Sequence, residues 1–270
     1  MKIGVCTWTF GEMPLQEIAR RLSRLGFNGV ELLGDLKLYT AQAAAQILQD
    51  HGLTVFSLTP ENVDPAHPDP AVRAQAADYY VRLLDFAAAL GNPVVSCHGY
   101  VGRVRAVSSV TQERALFIEL VRQIAERAQT LNLRVALEVL NRYEAHLLNT
   151  AAEALDFVAE VGADNVGVLL DAYHMNIEEP HPAAALRRAG ERLFLYHVAD
   201  SNRQGVGRGH IDFRSQMAAL SDISYAGPII LECTAPGPDP FRAIKDENSL
   251  VWLETYHKES RAALLEMRNR

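Results

Sequence analysis

Cysteine is scarce in this chain: Cys6, Cys97 and Cys233 are the only three, and no two of them form a CxxC pair. An odd, widely spaced set argues against a disulfide framework and against a structural zinc site. Each lies at the end of an apolar run and is expected to be a small buried core residue. Long apolar runs are also missing, since no stretch approaches the roughly 18 uninterrupted residues of a membrane span. The opening MKIGVCTWTF enters a β-like run with one lysine and no cleavage site, so no signal peptide is read there. The expectation is a soluble cytoplasmic protein with no membrane partner. Basic charge is in deficit: 26 basic against 33 acidic residues give a net charge of −7, with no long basic run, which disfavours nucleic acid as a partner. No Pro-, Ser- or Gly-rich linker divides the 270 residues, and TWTFGEMP after the first apolar run is not the Gly-rich dinucleotide fingerprint.

What is present is an alternation. A hydrophobic content of 49% can bury a large core, and the length suits one barrel as well as two small domains. Short runs rich in Val, Ile, Leu and Phe recur at residues 3–8, 29–33, 53–58, 93–98, 134–138, 165–171, 193–199 and 228–232. Most lack strict alternation, as strands buried on both faces do. Between them, residues 15–25, 41–51, 72–90, 112–131 and 151–161 space their apolar side chains as helices do. Gly26, Gly52, Gly91 and Gly162 follow several of these segments, where a helix C-terminus favours a residue tolerant of positive φ. Eight such units indicate an α/β fold, a single closed (β/α)8 TIM barrel over residues 1–270. A doubly wound open sheet is the alternative, and the missing fingerprint speaks against it.

The last four strands end in polar residues, at the end where barrel enzymes place their chemistry. They are Glu138, Asp171, His197 and Glu232, spaced by 33, 26 and 35 residues, each close to one β/α unit. Three carboxylates aimed into one mouth would repel one another, and at least one would stay protonated unless a cation lay between them. Three hard oxygen donors and one imidazole suit Mn²⁺, Mg²⁺ or Co²⁺ better than a structural zinc. The plainer alternative is that each residue caps its own strand end; four in register favour the metal.

The segments ALEVLNRYE (residues 136–144), LLDAYHMNIEE (169–179), YHVADSNR (196–203) and IILEC (229–233) resemble the metal-dependent ketose 3-epimerases, the tagatose/psicose 3-epimerase group of the xylose-isomerase-like barrel superfamily. LGFNGVELL and HGLTVFSL in the first half fit the same group, so the resemblance spans nearly the whole chain. It implies epimerisation of a ketose at C3 through a cis-enediolate, with one divalent ion, Mn²⁺ before Mg²⁺ or Co²⁺, as Lewis acid and template. Glu138 and Glu232 would be both metal ligands and the acid/base pair, with Asp171 and His197 as purely ligating residues. His174, three residues beyond Asp171, projects over the metal position, where its imidazole could donate to a sugar oxygen. The resemblance gives His174, Arg203 and Glu144 the task of holding O1 and O2 of the sugar. Taken alone, Glu144 would pair with Arg142, Arg203 would be a solvated loop residue and His174 would cap the next helix. A small-molecule ketose is the expected partner, with a homodimer or homotetramer implied by the family; the amphipathic segment 250–267 would close the barrel or pack on a partner subunit.

Other features are less specific. Glu178 and Glu179 read as the acidic first turn of a short helix. SNRQGVGRGHIDF (201–213) combines Gly205, Gly207 and Gly209 with Arg203 and Arg208, which would cradle a substrate phosphate or simply form a flexible loop. Trp8 and Phe10 would wall the far end of a sugar or join the core. Glu31 and His98 end their strands and would face the mouth without an assigned role. The family more often places Pro and an aromatic after the last glutamate, where this chain has CTAPGPDPF, so substrate length and stereochemistry are open. Related barrels give alternatives: a sugar-phosphate or hydroxypyruvate isomerase, or an inosose dehydratase. An abasic-site endonuclease would need a multi-zinc cluster richer in His and a basic groove, and a catalytically dead sugar-binding barrel would not be expected to retain both glutamates.

Overall fold

Every β-like run forms a strand, and each strand pairs in parallel with the next until the eighth closes on the first. The computed structural model describes residues 1–236, 241 and 244–268. In chain order the elements are β1 (Lys2–Cys6), α1 (Leu15–Arg24), β2 (Gly29–Leu33), α2 (Ala41–Asp50), β3 (Thr54–Thr59), α3 (Pro70–Ala89), β4 (Val94–Cys97) and α4 (Val110–Thr130). They continue with β5 (Val135–Glu138), α5 (Ala151–Val161), β6 (Val166–Asp171), α6 (Ala172–Glu178), α7 (Pro182–Ala189), β7 (Leu193–Val198), α8 (Phe213–Asp222), β8 (Pro228–Leu231) and α9 (Glu247–Arg268). This is the expected (β/α)8 barrel.

Local chemistry sets the boundaries. Thr150 and Glu153 form a reciprocal capping box at the start of α5, and Asp69 caps α3 with Pro70 in its first turn, two residues earlier than the apolar spacing indicates. Gly162 ends α5 at φ 73°, a left-handed conformation that costs a residue without Cβ nothing, and its N–H returns to the Val158 carbonyl. The first strand is shorter than the run 3–8. Thr7–Phe10 turns into a single 3-10 turn in which Thr9 Oγ1 donates to the Cys6 carbonyl at 2.8 Å, and the Leu33 N–H donates to Thr7 Oγ1 at 2.8 Å. These hydroxyl bonds override the β propensity of Thr-Trp-Thr-Phe and carry Trp8 over the mouth.

The main core lies between strands and helices, while Val94, Ala136, Leu169, Phe194 and Leu195, all from β4 to β7, form a separate cluster. Gly167 on β6 makes room for it: a Cβ there would come within 2.7 Å of the Phe194 ring and 2.5 Å of the Arg192 carbonyl. The segment expected at 250–267 forms most of α9, which buries Leu253, Tyr256, His257, Ser260 and Leu264. Glu254 ties it to Arg21 and Arg24 of α1 at 3.3 and 2.5 Å, so α9 packs inward on this chain's own helices. No helix among the described residues is long and apolar enough to cross a membrane.

Candidate active site

Strand register turns the four strand-end residues to the same face: Glu138 pairs with Leu169, two residues before Asp171, and His197 with Ile230, two residues before Glu232. Asp171 on β6 is directly paired with His197 on β7, and the Glu232 N–H donates to the Val198 carbonyl one residue beyond β8. Glu138 is the last residue of β5, so four adjacent strands deliver four side chains to the C-terminal mouth. All four are buried. Donor atoms of Glu138, His197 and Glu232 lie within 4.8 Å of one another; ligands on opposite sides of one ion with bonds of about 2.1 Å stand about 4.2 Å apart, so a small inward adjustment would seat all three. Asp171 lies outside that triangle but near enough for the Glu232 and His197 charges to act on it. Its Oδ1 accepts from the Tyr173 N–H at 2.8 Å and so caps α6, whereas its Oδ2 is buried without a partner. His197 Nδ1 is likewise buried and unpartnered, 3.5 Å from Glu232 Oε2.

Two unpartnered buried atoms in a group with three carboxylates fit a divalent cation, because leaving buried polar atoms unpaired costs about 1–3 kcal/mol each. The electrostatics agree. Burial and the neighbouring Glu232 charge push the Glu138 carboxyl well above the carboxylate range, and the same two causes raise Asp171 to about 7. Burial also works against ionised Glu232, but Arg203 and His197 outweigh it and hold that carboxyl well below its ordinary value. Arg203 NH2 donates to Glu232 Oε2 at 2.9 Å and Trp8 Nε1 to Oε1 at 2.8 Å.

The three residues expected to hold the sugar meet beside this set, on the segments that follow β5, β6 and β7. Glu144 Oε1 lies 3.8 Å from Arg203 NH1 and 4.0 Å from His174 Nδ1. Asn141 organises them: its Nδ2 donates to Glu144 Oε1 at 2.9 Å and to His174 Nδ1 at 2.8 Å, and its backbone N–H reaches the same nitrogen at 3.3 Å. Backbone N–H and guanidinium groups only donate, and a neutral ring accepts at one nitrogen; two donors at 2.8 and 3.3 Å on Nδ1 against the longer 3.5 Å approach of Arg203 NH1 to Nε2 favour Nδ1 as the acceptor and the proton on Nε2, which also lies 3.8 Å from Asp171 Oδ2. Burial, with Arg203 nearby, holds the His174 imidazole well below its ordinary pKa, hence neutral. Arg203 has a left-handed backbone at φ 60°, its guanidinium stacks 4.6 Å from the Tyr173 ring centre, and its Nε is buried and unpartnered. Strain of this kind persists where surrounding contacts over-determine it: the Arg203 N–H donates to the Asp200 carbonyl and its own carbonyl accepts from Thr234.

Several expectations are corrected. Glu178 and Glu179 do not open a helix; Glu178 ends α6 and Glu179 is its C-terminal cap. Glu178 instead accepts from the Arg142 backbone and guanidinium, and Glu179 accepts from the Ala151 N–H, serving the first turn of α5. Arg142 is therefore taken by Glu178 and leaves Glu144 to the site. Phe10 is core, 5.5 Å from the His257 ring, while Trp8 reaches the site and stacks on Phe241 at 5.8 Å. The glycine-rich loop does not present a phosphate cradle. The Asp200 carboxylate already takes the N–H groups of Ser201, Gly207 and Ile211, and Arg208 is drawn outward by Glu259 and by the rings of Trp252 and Tyr256. Of the divergent run CTAPGPDPF, residues 237–240 lie outside the described residues. All three cysteines are free and buried, but Cys6 borders the site, 3.5 Å from Glu31 and 3.7 Å from Glu232. His98 is buried with Nδ1 against the Gly99 carbonyl. Sequence reasoning left Asn141, Tyr173 and Glu31 without roles; Asn141 and Tyr173 lie within the family-like segments, and Glu31, which stands in the middle of β2 and does not end it as expected, is signalled by an acid inside an otherwise apolar strand. A cavity of about 830 Å³ beside Lys2, Tyr225 and Met267 opens at the other end of the barrel and contains none of these side chains.

The model of the xylose isomerase-like TIM barrel family matches residues 19–256. The chain belongs to this family. Within it, the chain is 32% identical to the ketose 3-epimerase of Arthrobacter globiformis, over 86% of this chain and 83% of that one. It is 28% identical to the 3-dehydro-D-guloside 4-epimerase of Escherichia coli K12, over 94% of this chain and the whole of that one. The crystal structure of a Methylomonas D-allulose 3-epimerase in complex with D-allulose superposes with a TM-score of 0.86 at 27% identity, covering 99% and 97% of the two chains. The family resemblance read from the four strand-end segments is thus borne out, and these family members are sugar epimerases.

Proposed function

We propose that the chain is a divalent-metal-dependent ketose 3-epimerase. The observation that carries this reading is the convergence of Glu138, His197 and Glu232 within 4.8 Å, next to the unpartnered Oδ2 of Asp171 and Nδ1 of His197. Those four residues would hold one ion, Mn²⁺ before Mg²⁺ or Co²⁺, which when bound supplies Lewis-acid polarisation of the sugar carbonyl. Glu138 and Glu232 enter from opposite sides of the β6–β7 pair, as a base and an acid on the two faces of C3 must. One glutamate removes the C3 proton and the other returns a proton to the opposite face, so the carbon skeleton is unchanged. Arg203 and Trp8 each occupy one oxygen of Glu232 and fix its direction. His174 Nε2–H and Arg203 would donate to O1 and O2 of the sugar, where negative charge grows as the proton leaves, and Glu144 would accept from a sugar hydroxyl.

A second reading is favoured by the alignment over the full length of the E. coli relative: a 4-epimerase of a 3-keto glycoside. Its chemistry is the same, removal of a proton from the carbon beside a carbonyl. Proton exchange in D₂O followed by NMR decides between them. Protein with Mn²⁺ would be incubated with free ketoses and with 3-keto glycosides, with EDTA, Glu138→Gln and Glu232→Gln as controls. Deuterium at C3 of a free ketose with appearance of its C3 epimer, abolished in the controls, is the expected result. Exchange only at C4 of a keto glycoside would replace the substrate assignment, and no exchange in either would refute both.

A further inference from the structure

Glu31 lies outside the four-strand set, yet its side chain is wholly buried inside the barrel. It comes from β2, and in the closed strand order β1 and β8 stand between it and β7, so its bond to His197 crosses the barrel interior. His197 Nε2 lies 3.0 Å from Glu31 Oε2. Both carboxylate oxygens are filled: Oε2 also accepts from Ser57 Oγ at 2.5 Å, and Oε1 accepts from Thr59 Oγ1 at 2.7 Å and from the Cys6 thiol at 3.5 Å. Three side chains from β3 and β1 thus fix a carboxylate that crosses to the imidazole. The other nitrogen of that imidazole, Nδ1, has no hydrogen-bond partner.

We propose that Glu31 is a positioning residue: it holds the His197 ring with Nε2–H directed at Oε2, so that the Nδ1 lone pair faces the metal position. This rests on the metal-dependent reading above. An imidazole that donates from one nitrogen to a fixed carboxylate is locked in ring orientation and tautomer, and is a better ligand through the other nitrogen. Ser57 and Thr59 extend the chain by one further shell, holding the holder. A buried charge retained only for folding would need none of this directionality, and its loss would change stability without changing the affinity of the folded protein for an ion.

The test is direct titration of metal-stripped wild type, Glu31→Gln, Glu31→Ala and His197→Asn with Mn²⁺, free ion being read by electron paramagnetic resonance. In parallel, the ¹⁵N resonances of the His197 ring would be recorded in the Mg²⁺-loaded proteins. The expected result is a Mn²⁺ dissociation constant raised about 10-fold in Glu31→Gln and up to about 100-fold in Glu31→Ala. Wild-type His197 should show a protonated Nε2, and the variants a mixture of tautomers. Glu31→Gln is nearly isosteric and decides alone if Glu31→Ala does not fold. Wild type that binds no Mn²⁺, or His197→Asn that binds as tightly as wild type, would sink the metal reading itself. Loss of binding in His197→Asn, with Glu31→Gln within twofold of wild type and an unchanged tautomer, would overturn the role of Glu31 and leave the metal reading standing.

Discussion

Replacing Asp171 with Asn separates the two tasks of one carboxylate. Asn keeps an oxygen where Oδ1 caps α6 through the Tyr173 N–H, and puts an uncharged NH₂ where Oδ2 stands unpartnered. In metal-free protein this should be stabilising. The Asp171 carboxyl rises from its ordinary 3.8 to about 7 on burial beside Glu232. At 1.36 kcal/mol per pH unit that rise corresponds to a cost of about 4 kcal/mol once the carboxyl ionises in the folded state. Below about pH 4 both folded and unfolded chains keep the proton and the cost is absent. Between about pH 4 and 7 only the unfolded chain releases it, so stability falls with rising pH; above 7 the loss is complete. Asp171→Asn should therefore melt with wild type at pH 4 and above it at pH 8 in EDTA, by about 5–10 °C for a chain of this size. Added Mn²⁺ should narrow that gap at pH 8: at 100 times its dissociation constant an ion stabilises wild type by about 2.7 kcal/mol, which offsets most of the difference, and the variant should gain little. Calorimetry at both pH values, with and without Mn²⁺, reads all four numbers. A variant no more stable than wild type at pH 8 in EDTA, or one that keeps the full Mn²⁺ shift, would show that Asp171 does not confront a cation position.

Three further outcomes are expected. Arg203→Lys keeps the charge but loses the planar group that stacks on Tyr173 while donating to Glu232, so kcat should fall at least about 10-fold at unchanged fold; wild-type kinetics would refute the role. Glu113→Gln should destabilise by about 3 kcal/mol at pH 7: although burial alone would raise the Glu113 carboxyl, bonds from Ser108, Arg103 and His146 lower it from 4.5 to about 2. That contribution is present above pH 4.5 and lost as pH falls through about 2, so a gap between variant and wild type that does not narrow in acid would contradict it. Arg208→Ala should leave kcat/KM for free ketoses within twofold, because Glu259, Trp252 and Tyr256 hold this guanidinium away from the mouth; a selective loss toward phosphorylated ketoses would restore the phosphate reading.

The barrel was legible because strands buried on both faces leave uninterrupted Val, Ile and Leu runs, and because each catalytic-end residue interrupts such a run. Trp8 reads as strand for the same reason and is not: TWTF has β propensity, and the hydroxyl bonds of Thr7 and Thr9 turn it. The helices α6 and α7 carry few apolar residues in short spans, so periodicity could not separate them from loop, and the acidic pair at 178–179 was placed at the wrong helix end. The four strand-end ligand candidates could be read from spacing alone. Asn141, Tyr173 and Glu31 could not, since what each one does depends on a partner 30 to 166 residues away in sequence, brought near only by closure of the barrel.

The short helix α6 is fastened to the loop after β5 by Asn141 on His174 and by Arg142 on Glu178, while Glu179 anchors its end to α5. Glu144 and His174 therefore travel as one body, and the strand ends that carry Glu138 and Glu232 travel with the barrel wall. Residues 139–150 and 172–181 are thus tied to one another through side chains, so that under the proposed function a displacement of either segment would shift Glu144 and His174 together.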